Sequence, residues 1–193
     1  MKRSIIIAAF FLFSAFLFAE NASPIGFDLG LTSGYPSYGK TTNDSVSSIT
    51  NTSGYKRIIV GFSGDIFYKP VEPVHIFAGA DILTDFLWNE GFYSYHFGYA
   101  FLLGMKVYPF SKGFAVSCAY ALGSRSDFYN TTDGEAVKSN AKWGNGFRIG
   151  LEYDFSKLLN KKYIPAVGFY YRFMPCGDNM YDNIFAGYIS IEL

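Results

Sequence analysis

His75 and His96 are the only imidazoles in the 193-residue chain, and so the first candidates for a general base. An ester or lipid hydrolase would need a nucleophile beside one of them and a carboxylate to orient the ring. Along the sequence, neither histidine has an obvious serine and carboxylate arranged beside it, and both are expected to be structural. Gly61-Phe62-Ser63-Gly64 misses the GxSxG order and sits inside a strand pattern rather than on a strand-to-helix elbow. Gly144-Asn145-Gly146 followed by Gly150 misses the dinucleotide spacing, and no helix pattern follows it. There is no HExxH and no zinc-type cysteine cluster; Cys118 and Cys176 form neither a CxxC pair nor a disulfide framework. Four Asn-x-Ser/Thr triplets, at Asn21, Asn43, Asn51 and Asn130, follow from loop composition. No catalysis, no cofactor and no metal are expected.

The charged residues carry a different signal. Asp28, Arg57, Asp65, Asp81, Asp85, Lys106, Arg148, Glu152, Asp154, Arg172 and Glu192 all stand at alternate positions within apolar runs, and His75 and His96 join them. Ions on a buried face are costly unless paired. The expected arrangement is a network of Asp81, Lys106, Arg148, Glu152, Asp154, Arg172 and Glu192, with Arg148 paired to Asp81 or Glu152. Such a network would plug an enclosed lumen. The alternative is a wet, cation-preferring channel, because seven acids face four bases on that face.

What must position these groups is a set of strands. Period-two alternation recurs eight times, over about 24–34, 56–68, 74–86, 95–108, 114–123, 143–155, 165–173 and 184–193. The clearest is the sixth, where Trp143, Phe147, Ile149, Leu151, Tyr153 and Phe155 alternate with Gly144, Gly146, Arg148, Gly150, Glu152 and Asp154. A transmembrane strand needs about 9–11 residues, and these segments fit. Connections alternate between long stretches rich in Ser, Thr, Asn, Asp and Gly, including 35–55 and 124–142, and short turns around Pro70–Pro73, Pro109–Gly113 and Ser156–Lys162. Cys118 is expected on a membrane-facing strand and Cys176 in an exposed loop.

The first residues read as an export signal. Lys2 and Arg3 precede an apolar run from Ser4 to Phe18, and Ala19 offers the cleavage point. At 1.5 Å per residue that run spans roughly 22 Å, short of a ~30 Å hydrocarbon core. Residues 1–19 are therefore expected to be a cleaved leader and 20–193 a single barrel domain. Equal numbers of basic and acidic residues, 16 each, give no electrostatic footprint for nucleic acid.

The two faces of the strands tell inside from outside. The apolar face is a nearly unbroken series of Phe, Ile, Leu, Val and Tyr, too bulky for an eight-strand interior. The other face is dominated by small residues such as Gly26, Gly30, Gly61, Ala100, Gly104, Ala119 and Gly150, which suit that interior. A soluble barrel carrying an apolar ligand would invert the assignment and expose many Lys and Glu. Aromatics fall in two groups, Tyr68, Phe114, Tyr153 and Phe155 toward the short turns, and Phe86, Trp88, Tyr95, Phe97, Trp143 and Phe173 toward the long loops. That is the placement of two interfacial girdles.

On this pattern, and on the final segment Phe185-Ala186-Gly187-Tyr188-Ile189-Ser190-Ile191-Glu192-Leu193, the chain resembles the small eight-stranded outer-membrane barrels of the outer-membrane protein A and X type. The resemblance covers about residues 24–193. It implies an all-β, eight-stranded antiparallel up-and-down transmembrane barrel in the outer membrane of a diderm bacterium, with outer-membrane lipid as its surroundings. It also implies insertion by the barrel-assembly machinery, which reads the last strand; here that strand ends on Leu193 where the family usually has an aromatic. The expected role is structural, or binding of an extracellular ligand by the loops of a monomer. The alternatives are a small porin-like pore and the soluble periplasmic carrier.

Overall fold

The computed structural model describes residues 24–89, 92–110, 113–130, 136–159, 163–176 and 181–193. The expected leader lies outside these residues. The strands are β1 (Ile25–Ser37), β2 (Lys56–Val71), β3 (Val74–Asn89), β4 (Phe92–Phe110), β5 (Phe114–Asn130), β6 (Ala136–Asn140), β7 (Gly144–Asp154), β8 (Ala166–Pro175) and β9 (Tyr181–Glu192). Two helices interrupt them, α1 (Lys40–Thr50) and α2 (Phe155–Leu159). All pairings are antiparallel, and β9 returns to β1 along Asp28↔Glu192 to Ser37↔Asn183. Eight strands thus close a barrel, while β6 pairs only with the outer end of β5. Closure leaves no edge in the eight-stranded wall itself, which is what a backbone in hydrocarbon requires.

The in–out assignment holds. Leu103 and Phe62 expose 63% and 59% of their surface on the outside of the wall. Ala100, Ala119, Ala121 and Ala186 are buried on the inside, with Phe67, Phe77, Leu83, Leu102 and Tyr170 filling the space between charged groups. Outside, Trp143 packs on Tyr99 and Phe101, Tyr95 stacks on Phe128, and at the other end Tyr153 packs on Phe155.

Three expectations are corrected. Segment 124–142 is not all loop: β5 continues to Asn130 and β6 folds back on it. Its inward residues there are Arg125 and Asp127, so the apolar–polar alternation that marks the lower strand is lost although the ladder continues. Segment 35–55 is not all loop either. Its Ser, Thr and Asn give α1 little intrinsic helix propensity; packing supplies the rest, since Thr42 and Val46, one turn apart, are both buried. Cys176 is buried, not exposed, and its thiol donates to the Met174 carbonyl at 3.3 Å. Burial pushes that thiol up, so it stays protonated and unreactive.

At the short-turn end, Gly113 joins β4 to β5 with φ +90°, and its carbonyl accepts the Asp154 N–H at 2.7 Å. A Cβ there would strike the Asp154 carbonyl. Gly113→Ala should therefore lower stability by at least about 1 kcal/mol, read as a fall in the temperature at which the folded band is lost on a gel.

Candidate functional site

Inward charges gather at three heights. Nearest the short turns, the Lys106 ammonium lies 3.1 Å from Asp28 and 2.9 Å from Glu152, and the Tyr188 hydroxyl donates to Glu152 at 2.8 Å. Lys69 reaches Glu192 at 2.5 Å, across β1. His75 lies at this end, stacked on Phe67 with ring centroids 4.8 Å apart and tilted against Tyr108.

At mid-height, Arg172 donates to Asp81, and the Arg148 Nη1 sits 3.8 Å from the other Asp81 oxygen. Arg148 and Arg172 are direct cross-strand partners, and Arg148 also lies over the Tyr170 ring at 4.3 Å. Two guanidiniums thus converge on one buried carboxylate, and among the described residues Arg148 Nε and Arg172 Nε have no hydrogen-bond partner. The lumenal cavities beside this level, one bordered by Asp28, Asp65, Lys106 and Arg148, the other by Asp28, Asp65, His75 and Lys106, measure about 10 Å³ each. That is room for about one water apiece.

At the outer mouth, Asp85 accepts from Arg57 at 2.9 and 2.7 Å and from the Tyr38 hydroxyl at 2.7 Å. Tyr38 leads into α1, and burial, with the nearby Asp85 charge, pushes its phenol well above the usual range, which keeps it a donor. Asp127 accepts from Arg125 at 2.7 and 3.1 Å, and Arg125 also donates to Thr42 of α1 at 2.9 Å. Two ionised anchors therefore hold α1 over the mouth. Tyr38→Phe should cost the α1 segment about 1.5–3 kcal/mol, the worth of a hydrogen bond to a charged group. The expected result is faster protease cleavage between residues 38 and 55 with the barrel itself intact.

The expected network residues are thus brought together in part. Asp81, Arg148 and Arg172 form one cluster and Lys106 with Glu152 another. Glu192 is held by Lys69, which sequence reasoning did not single out. Asp154 turns away from the cations: its carboxylate accepts from the Ser156 N–H and hydroxyl, at 2.9 and 2.5 Å, and caps the start of α2.

The expectation that neither histidine has a serine and a carboxylate beside it is also corrected. His96 is within 2.8 Å of Ser94 Oγ at Nε2 and within 2.8 Å of Asp127 Oδ1 at Nδ1. All three are buried. Ser94 and His96 share the inner face of β4 two positions apart, and Asp127 is the ladder partner of His96 on β5. Just beyond them, a cleft of about 530 Å³ opens between α1 and the β3–β4 hairpin, lined by Ser48, Ile49, Thr52, Ser53, Gly54, Asn89 and Phe92.

No family model matches the sequence, and no curated protein matches it. Solved structures do. Ail, the attachment invasion locus protein of Yersinia pestis, aligns over 88% of this chain and 97% of its own, with TM-score 0.56 and 9% identity. Ail in complex with the heparin analogue sucrose octasulfate gives 0.55 at the same coverage and identity. Neisserial surface protein A covers 89% of this chain and 99% of its own at 13% identity, with TM-score 0.48. The fold is that of the small eight-stranded outer-membrane barrels.

Proposed function

We propose that this eight-stranded barrel resides in the outer membrane of a diderm bacterium as a closed scaffold, and that its role is structural or surface binding through its outer ends. The observation that carries this reading is the inversion of the wall. Phe27, Leu29, Leu31, Phe62, Leu103 and Phe185 each expose half or more of their surface outward, while Asp81, Arg172, Glu152 and Asp85 are buried inside. A soluble carrier of an apolar ligand needs the opposite arrangement. Lipid contact removes the outer apolar belt from water, and the internal ion pairs remove the need for a wet lumen.

The short turns then face the periplasm, and α1, the β3–β4 hairpin and the β5–β6 extension face outward. This outer surface is rich in hydroxyl and amide groups, from Ser45, Ser47, Ser48, Thr50, Asn51, Thr52 and Ser53, held on a rigid base. Ail, a barrel of similar fold, was solved in complex with the heparin analogue sucrose octasulfate, which supports a binding role for the outer ends here.

The test is fractionation of cells expressing the protein, followed by electrophoresis with and without boiling. Recovery in the outer membrane, with mobility that changes on boiling, is the expected result. Recovery as a detergent-free periplasmic protein would overturn the reading. Purified barrel in planar bilayers should show no steady conductance, since the ion pairs fill the lumen at mid-height and the two gaps beside them hold about one water each; stable channel steps would make it a pore instead.

A further inference from the structure

We infer that Ser94, His96 and Asp127 form an acyl-transfer site at the outer mouth, with a small carboxylic ester as the class of substrate. Proton bookkeeping fixes the roles. Asp127 takes two hydrogen bonds from Arg125, so it is ionised and can only accept. The proton between it and the ring therefore sits on His96 Nδ1, donated to Asp127 Oδ1 at 2.8 Å. In the neutral ring, the form a general base needs, that leaves Nε2 an acceptor for the hydroxyl proton of Ser94 Oγ, 2.8 Å away. A nucleophile, a base and an orienting carboxylate are in mutual reach, which is the geometric requirement for an activated serine.

Ser94 is itself buried, and a cleft opens two strand positions from it. Phe92, which lines the 530 Å³ cleft, is exposed and stands two positions before the buried Ser94, on the same side of β4. At about 3.4 Å per residue, that is roughly 7 Å along the strand. The cleft combines Ile49 and Phe92 with the hydroxyls of Ser48, Thr52 and Ser53, a lining suited to a short acyl chain beside a polar ester. Mid-height cations are not used: the site lies wholly within the outer level, above Asp81 and its arginines.

The reaction is an acyl transfer with water as final acceptor. Ser94 Oγ attacks the ester carbonyl carbon while His96 Nε2 takes the hydroxyl proton. The ester C–O bond breaks, and His96 returns that proton to the departing alkoxide. Water, deprotonated by His96, then cleaves the acyl-serine and restores the hydroxyl. Asp127 is a positioning residue in this scheme, because it touches the ring and Arg125 but not the reacting atoms.

The test uses the full folded chain in detergent micelles, an alkyl fluorophosphonate and p-nitrophenyl butyrate. The phosphonate reports the same serine: the Oγ–P bond forms, the P–F bond breaks and fluoride leaves. The expected results are one adduct mapped to Ser94 and ester turnover lost in Ser94→Ala. His96→Gln should slow labelling at least about 100-fold, the size of a general-base contribution. Asp127→Asn should slow it too, with partial rescue in Asp127→Glu, while boiling-dependent mobility shows each variant folded. An unlabelled wild-type barrel, an adduct on another serine, or labelling unchanged in His96→Gln would each overturn the assignment and leave a purely structural hydrogen-bond chain.

Discussion

Asp81→Ala should be the most damaging single substitution in the lumen, with a loss of about 3–5 kcal/mol. The reason is the imbalance at mid-height. Arg148 and Arg172 are cross-strand neighbours, and like charges in that position repel. Asp81 is the carboxylate both of them face, and it is almost wholly buried. Removing it leaves two buried guanidiniums, with Asp65 beside Arg148 as the carboxylate that remains near this level. Arg148→Ala should cost less, because Arg172 keeps its bond to Asp81 while Arg148 stands at 3.8 Å. Asp81→Asn, which keeps an acceptor but no charge, should fall between. Thermal loss of the folded electrophoretic band ranks the three. An Asp81→Ala barrel as stable as the wild type would show that the mid-height cations are solvated rather than paired, and would reopen the lumen to conduction.

Leu103→Arg tests the other side of the wall. Leu103 lies on the outer face of β4 between the Tyr99–Trp143 pair above and Phe110 below, so a membrane reading places it near mid-bilayer. There an arginine costs about 2–4 kcal/mol, falling toward zero at the interfaces. Equilibrium unfolding in lipid vesicles should show that loss for Leu103→Arg and a much smaller one for Phe110→Arg at the end of the strand. Equal and small effects at both positions would mean that no hydrocarbon surrounds the wall, and the proposed location would fail.

In the proposed membrane setting, the parts of the fold visible in the sequence are those where lipid imposes a pattern. Within the hydrocarbon, each outward residue must be apolar and each inward one small or paired, so the alternation through Phe147, Ile149, Leu151 and Tyr153 could be read directly. Above the membrane that constraint ends. The upper half of β5 carries Arg125 and Asp127 inward and looks like loop sequence, and α1 has a composition that propensity alone would leave unfolded. The serine and carboxylate around His96 were hidden for the same reason. Ser94 lies one residue before the start expected for its strand, and Asp127 lies four beyond the end expected for the next, so no register could join them. An S-x-H spacing on one strand face was the only local hint. Lys69 lies one residue beyond the strand expected over 56–68, so the alternation gave it no face.

The β1–β9 seam has a kinetic consequence. Each other pairing in the barrel joins strands that follow one another in the chain, apart from the short β6 detour, so each can form as a local hairpin. The seam alone pairs Asp28 with Glu192, from opposite ends of the chain, and pays the full loop-closure entropy. It should therefore zip last. Until it does, β1 and β9 both present open backbone edges, and the Lys69–Glu192 ion pair that spans β1 cannot exist. The rate of barrel closure, rather than of hairpin formation, is then the interval during which the nascent chain is open to aggregation, and it is the interval that an insertion catalyst holding the last strand would shorten.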